Sequence, residues 1–264
     1  MKAAFLQTAP AFGRIEANVK KVVEKIRSMD AELIVLPEFF NTGYQFKSRK
    51  EASSLAEDVP GGYTCKRLME TAKKKKLFIV AGIAERYKGK FYNSSVLIGP
   101  KGFVGVYRKT HLFWNEKKFF APGNTPFKVY NIGPARIGMM ICFDWLFPEA
   151  TRSLALQGAD IICHPSNLVL PFCPEAMITR CLENRVFAIT ANRVGTEERI
   201  NGERLKFIGK SEIVTPSGKI LYRASGNKEK IGIVDINPKE ARNKKITPLN
   251  DIFKDRRGKL YKLL

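Results

Sequence analysis

The sequence predicts an α/β protein built from two sheets packed face to face with helices on their outer faces, and three observations predict it. Short strands alternate with amphipathic helices along the chain. Runs such as LIVLP (33–37) and DIICHP (160–165) are apolar almost throughout, as buried strands are. Two hairpins, around GPKG (99–102) and PSGK (216–219), add antiparallel pairs that a simple doubly wound sheet lacks.

Each element has its own signal. Residues 2–7 read as a strand, and 14–29 as a helix whose Ile15, Val19, Val22, Ile26 and Met29 share one stripe. LIVLP is the second strand. A helix over 62–75 follows the PGG turn and ends on KKKK, where cations suit the helix dipole. It leads into LFIVAGIAE and then into the extended runs 91–98 and 103–108. After a loop over 109–126, strands at 127–132 and 135–141 flank GPA. A helix over 147–157 places Pro148 in its first turn, a favoured position, and stops at Gly158. Strand DIICHP, a helix over 174–185 and strand FAITANRV repeat the alternation. The second hairpin and a strand at 231–236 precede a basic tail. With no linker, low-complexity segment or repeat, residues 1–264 are read as one domain.

Composition sets the outer limits. The 264 residues are 44 % hydrophobic and 27 % charged, as in ordinary globular chains, so a large core is available. The net charge of +21 is the one outlier and admits anionic partners, but Lys and Arg are spread over the whole length. Neither a signal peptide nor a run of about 18 apolar residues is present, so no membrane association and a cytoplasmic location are expected. Five cysteines do not make a disulfide framework, and reduced thiols are expected. The spacing of Cys163, His164, Cys173 and Cys181 is unlike zinc pairs, and no phosphate or dinucleotide loop appears.

The informative residues fall at strand ends, where α/β sheets build their ligand crevices. Glu38 follows LIVLP, Lys109 follows VGVYR, Cys142 closes RIGMMI and His164 closes DIIC. Taken singly, each has an ordinary explanation. A glutamate or lysine after a strand is usually solvated, and an unpaired cysteine is usually packing. The context of Cys142 argues otherwise: strand, sharp turn and proline-started helix are the geometry that exposes a nucleophile on an elbow. His111 and His164 are the only histidines. His111 reads as a loop residue bonded to backbone, and His164, before Pro165, as a residue lining the pocket. The aromatics Phe39, Phe40 and Tyr44, then Phe113, Trp114, Phe119 and Phe120, flank these positions and are read as core or pocket wall. A single-stranded nucleic-acid surface is discounted, because the aromatics form no repeating basic stripe.

LPEFFNTGY around Glu38, YRKTHLF around Lys109 and ICFDWLFPE around Cys142 resemble, in order and spacing, the three signature segments of the nitrilase superfamily of carbon-nitrogen hydrolases. EKKFFAPGN, GADIICHPSN, ENRVFAITANRVG and FIGKSEIVTPSGKIL resemble the blocks between them, so the likeness covers about residues 2 to 255. The resemblance implies a four-layer αββα sandwich of two mixed sheets that pairs into a homodimer or a higher homo-oligomer. It also implies Glu38 as general base, Lys109 as oxyanion-stabilising cation and Cys142 as nucleophile, with no metal or organic cofactor. Glu116 matches a second, substrate-positioning glutamate. The Phe143 backbone N–H joins Lys109 at the developing charge, and His164 and Asn167 are taken as further supporting residues.

The implied reaction is hydrolysis of a small amide or nitrile to acid and ammonia through a Cys142 thioester, or first a thioimidate for a nitrile. An N-carbamoyl amine or amino acid amidohydrolase shares the same triad. For a carbamoyl amino acid a fixed cation must meet the carboxylate, and Arg180, Arg193, Arg199 and Arg204 are the candidates. A non-catalytic protein using its basic surface is the alternative of another class. The polar segment 195–206 is expected to form a mobile rim that selects substrate. The tail, about 240–264, is expected either to cross to a partner subunit or to end in solvent.

Overall fold

The computed structural model describes residues 1–261 of the chain. β1 (Lys2–Gln7) leads into α1 (Ile15–Ser28), then β2 (Leu33–Val35), α2 (Arg49–Leu55) and the short β3 (Glu57–Asp58). α3 (Tyr63–Lys75) precedes the antiparallel run β4 (Phe78–Tyr87), β5 (Lys90–Gly99) and β6 (Gly102–Arg108). One turn, α4 (Glu116–Phe119), sits in the loop before β7 (Val129–Asn131) and β8 (Arg136–Met139). A 3-10 turn over Cys142–Leu146 runs into α5 (Pro148–Leu156), followed by β9 (Ile161–Pro165), α6 (Cys173–Asn184) and β10 (Phe187–Ala191). β11 (Val194–Ile200), β12 (Glu203–Ile208), β13 (Glu212–Val214), β14 (Ile220–Arg223) and β15 (Lys230–Asp235) complete the strands.

Two mixed sheets result. One runs β15-β1-β2-β4-β5-β6, with β3 beside β4, and the other β14-β13-β10-β9-β8-β7. Strand alternation distributes the apolar residues between layers. Ala3 and Phe5 of β1 join Met139, Cys163 and Ile189 in the core between the sheets. Ala4 and Leu6 face the other way, onto Val19, Val23 and Ile26 of α1 and Leu68 of α3. On the second sheet, Leu154 of α5 and Met177 of α6 close the far side. The result is the expected αββα layering.

Three local expectations change. Residues 195–206, expected as a mobile rim, form most of the β11–β12 hairpin, because Leu205 and Phe207 alternate inward and bury a face that the polar outer residues concealed. α2 was hidden by its polar composition, although Ser48 and Glu51 carry a capping signal: the Ser48 hydroxyl accepts the Glu51 N–H at 3.1 Å. The strand before Cys142 ends at Met139, two residues early, which leaves room for the turn. The first residues of the tail pack onto the end of α6 and the start of β9 of the same chain. Lys244 Nζ donates to the carbonyls of Asn184 and Arg185 at the end of α6, and Arg242 pairs with the buried Asp160. Residues 262–264 of the expected tail lie outside the described residues.

Candidate active site

Glu38 stands just past β2 and is fully buried. Its backbone crosses directly over β4, where a Cβ on Gly82 would come within 2.4 Å of Glu38 Cα. Only glycine admits so close an approach. The crossing is fixed by Gly82 N–H donating to Pro37 O at 3.2 Å and Phe40 N–H donating to Gly82 O at 3.2 Å. Phe39, between them, adopts φ +47°, a strained conformation for a residue with a side chain.

Lys109 follows β6 and anchors its own N–H on Asn93 O of β5 at 2.8 Å. Gly123, in the APGN turn, returns an N–H to Lys109 O at 2.9 Å. The ammonium lies between two acids, donating to Glu38 Oε1 and to Glu116 Oε1, each at 2.8 Å. Glu116, placed by the single turn of α4, also accepts the Tyr44 hydroxyl at 2.7 Å. Asn93 Nδ2 donates to Glu38 Oε1 at 2.6 Å and more weakly to Glu116 Oε2 at 3.3 Å. Glu38 Oε1 is thus doubly bonded, while Glu38 Oε2 is buried without a partner.

Cys142 arrives from the second sheet on a strained turn with φ +41°. Asp144 holds that turn: its Oδ2 accepts the Ile141 N–H and the Tyr107 hydroxyl, each at 2.8 Å, and its Oδ1 lies 2.7 Å from His111 Nδ1. The His111 ring stacks on Phe147 at 3.6 Å, bracing the entry to α5. Phe143 N–H belongs to the first turn of the 3-10 segment, where donors lack a partner within the helix. His164 is placed differently from the sequence expectation. Its Nε2 lies 2.9 Å from Cys142 O and its Nδ1 3.1 Å from Thr190 Oγ1, so the ring supports the turn from behind rather than lining the pocket. Its position inside β9, buried between paired strands, is the reason.

Burial and charge tune these groups against one another. Burial and Glu116 raise Glu38 above the ordinary carboxylate range, against the pull of Lys109 and Asn93. Burial alone would lower Lys109, but Glu116, Glu38 and Cys142 outweigh it and keep the ammonium charged. Burial and Glu38 push the Cys142 thiol well up, opposed by Lys109 and the Asn167 backbone N–H. The resting state is therefore thiol and ammonium, with the thiol beside a Glu38 carboxyl whose affinity for a proton burial has raised. Burial pushes His164 down to about 4, so the imidazole is neutral at pH 7.

A small pocket opens over Cys142, walled by Phe113, Phe143, Trp145, Leu168 and Val169. Asn167 supplies the amide of its lining, and among the described residues neither its Oδ1 nor its Nδ2, both buried, has a partner. None of the four candidate arginines lines it. Arg193 is buried against Glu197, Arg199 pairs with Glu51, Arg180 with Glu183, and Arg204 reaches out toward Glu198. Sequence reading missed Asn93, although a polar Asn-Ser-Ser inside an otherwise apolar strand was a signal, since buried polar groups need a reason. It also left Asp144 and Gly82 without a role.

Comparisons agree with this architecture. The carbon-nitrogen hydrolase family model matches residues 2–245. A nitrilase of Pyrococcus abyssi is 47% identical over 99% of both chains. An (R)-stereoselective amidase of a Pseudomonas species is 34% identical over 90% of this chain and 85% of its own. Among solved structures, a carbon-nitrogen hydrolase from Helicobacter pylori superposes with a TM-score of 0.88 at 26% identity, covering 99% of this chain and 96% of that one. Fold and relatives together make this protein an enzyme that hydrolyses non-peptide carbon-nitrogen bonds. The chain belongs to the carbon-nitrogen hydrolase family, within the nitrilase superfamily. The alternative of a non-catalytic basic binding protein is set aside by that membership.

Proposed function

We propose that the chain hydrolyses a small uncharged amide or nitrile with Cys142 as nucleophile, Glu38 as general base and Lys109 as the cation at the developing negative charge. The observation that carries this reading is the division of labour on Glu38: Oε1 is bound by Lys109 and Asn93, and Oε2 has no partner. As Cys142 Sγ bonds to the substrate carbon, its proton passes to Glu38 Oε2. Lys109 Nζ and Phe143 N–H stabilise the oxyanion of an amide or the nitrogen of a nitrile. For an amide, Glu38 returns the proton to the departing nitrogen and ammonia leaves a thioester. Water then gives its proton to Glu38 and its oxygen to the carbonyl carbon, and the acid departs as the thiol is restored. A nitrile forms a thioimidate, whose hydration releases ammonia and joins the same path.

The pocket supports the substrate class. Its walls are largely apolar, and the one cation beside it, Lys109, is already paired with Glu38 and Glu116, so the carboxylate of a carbamoyl amino acid would enter with no free cation to meet it. Asn167 offers its side chain to substrate. Five unpaired, buried cysteines suit a reducing compartment, and we place the enzyme in the cytoplasm. The exposed apolar residues Leu146, Leu156, Phe172 and Leu182, on and beside α5 and α6, support a homodimer through that face.

The test is ammonia release across a panel of aliphatic nitriles, primary amides and carbamoyl compounds. Turnover should be confined to uncharged members. Cys142→Ala should abolish it, and Glu38→Gln should lower it by about 10²–10⁴-fold. Retained turnover in Cys142→Ala would sink the mechanism.

A further inference from the structure

We propose that Asn93 is the positioning residue of the general base, fixing one oxygen of Glu38 so that the other alone is free to take the proton. The inference rests on Glu38 acting as base. Asn93 touches all three charged members of the cluster. Its Nδ2 reaches Glu38 and Glu116, and its carbonyl receives the Lys109 N–H. Among the described residues, only the Lys109 side chain likewise bonds to both acids.

The amide can point only one way. Turned over, its Oδ1 would face two carboxylates, so Nδ2 must face them and Oδ1 must face elsewhere. Asn93 Oδ1 is in fact buried without a partner. A fold that needed only packing at this β5 position would place an apolar side chain there and avoid the orphaned acceptor. The alternation of β5 sharpens the point. Ser94, on the opposite face, bonds to Glu85 within the separate Arg108 ion pair, so the Asn93 face alone serves the site.

Charge assistance makes the 2.6 Å contact strong. Four titratable groups face Glu38: Lys109 from the end of β6, Glu116 from α4, Cys142 from the elbow and Tyr44 from the loop beyond Glu38. Three of them, Glu116, Cys142 and Tyr44, disfavour its charge when they ionise. Asn93 joins Lys109 in favouring the ionised form, and as a neutral group it does so at every pH. Without it the carboxylate would keep one anchor, rotate about it and hold its proton to higher pH.

The experiment compares Asn93→Leu, of similar size but with no donor, Asn93→Asp, of the same shape but acceptor only when ionised, and Asn93→Ser, which restores a short donor. Two pH profiles are read: kcat/KM, and the rate of Cys142 alkylation by iodoacetamide followed by mass. The second needs no knowledge of the substrate. The Leu variant should move the acid limb of both profiles up by about one pH unit, a tenfold change in the proton affinity of the base. Its kcat should fall by about 10²-fold with KM nearly unchanged, Ser should recover part of the loss, and Asp should lose more as pH rises. An acid limb within 0.2 unit (roughly a 1.6-fold change in affinity) of wild type in folded Leu and Asp variants overturns the proposal. So does failure of all three variants to fold, which would make Asn93 structural. A wild-type enzyme inert to the whole panel would instead defeat the functional reading, while the alkylation profile still decides Asn93.

Discussion

Glu38 is buried between a lysine and a second glutamate, and that environment fixes how activity should respond to acid. Burial and Glu116 hold its proton above the ordinary carboxylate range, so the proposed base is lost on acidification earlier than a solvated glutamate would be. The acid limb of kcat/KM should therefore lie above the range of an exposed carboxylate. In Glu116→Gln one of the two raising influences disappears, and the limb should move down; a pH profile of that variant against wild type checks the direction. Cys142 shows the complementary logic. In the proposed mechanism its thiol is not a free thiolate at rest but gives up its proton during attack, because burial and Glu38 oppose the charged form. Both residues were legible in the sequence from strand-end position and motif. Asn93 was not, because its role depends on which face of β5 meets Glu38.

Elements deliver these side chains by close crossings rather than by reach. β2 stops at Val35, and the chain passes over β4 at the one position, Gly82, that has no Cβ to obstruct it. Gly82→Ala should destabilise the fold by about 1–3 kcal/mol, as insertion of a methyl group into a packed site does. Since the obstructing atom is Glu38 backbone, kcat should fall more steeply than stability; urea melts and kinetics on the same preparation separate the two. The elbow obeys the same rule. The 3-10 turn from Cys142 to Leu146 is held from four sides by Ile141, Tyr107, His111 and His164. Pro148 then starts α5, as its position in the sequence announced. The β11–β12 hairpin was not foreseen, because its inward residues are interleaved with charged ones and only packing against Tyr44 shows which face is buried.

At the scale of the whole molecule, two consequences follow for stability and assembly. His164 is neutral in the folded state down to about pH 4, whereas an unfolded histidine takes its proton near 6.5. The unfolded chain thus binds more protons in that window, so the histidine's contribution to stability is present above pH 6.5 and lost as pH falls to about 4. The stability difference between wild type and His164→Gln should shift by about 3 kcal/mol across the window, against wild type at the acid end. Denaturant titrations at the two pH values measure it. For assembly, Phe172 is 62% exposed and Leu182 48% on the subunit alone. If this face joins two copies, Leu182→Glu should convert a dimer to a monomer in analytical ultracentrifugation, and wild type sedimenting as a monomer would refute the interface.

By itself the sequence determined the layering, the alternation of helices and strands, and the three strand-end residues, because periodicity and turn chemistry are local properties of the chain. Only the tertiary structure decided that Glu38 Oε1 is occupied and Oε2 free, that His164 braces the elbow from behind, and that the candidate arginines are engaged elsewhere. Those facts depend on which atoms from separate strands meet in a space without water. There, burial and pairing set the proton positions, and neither can be read from residue order alone.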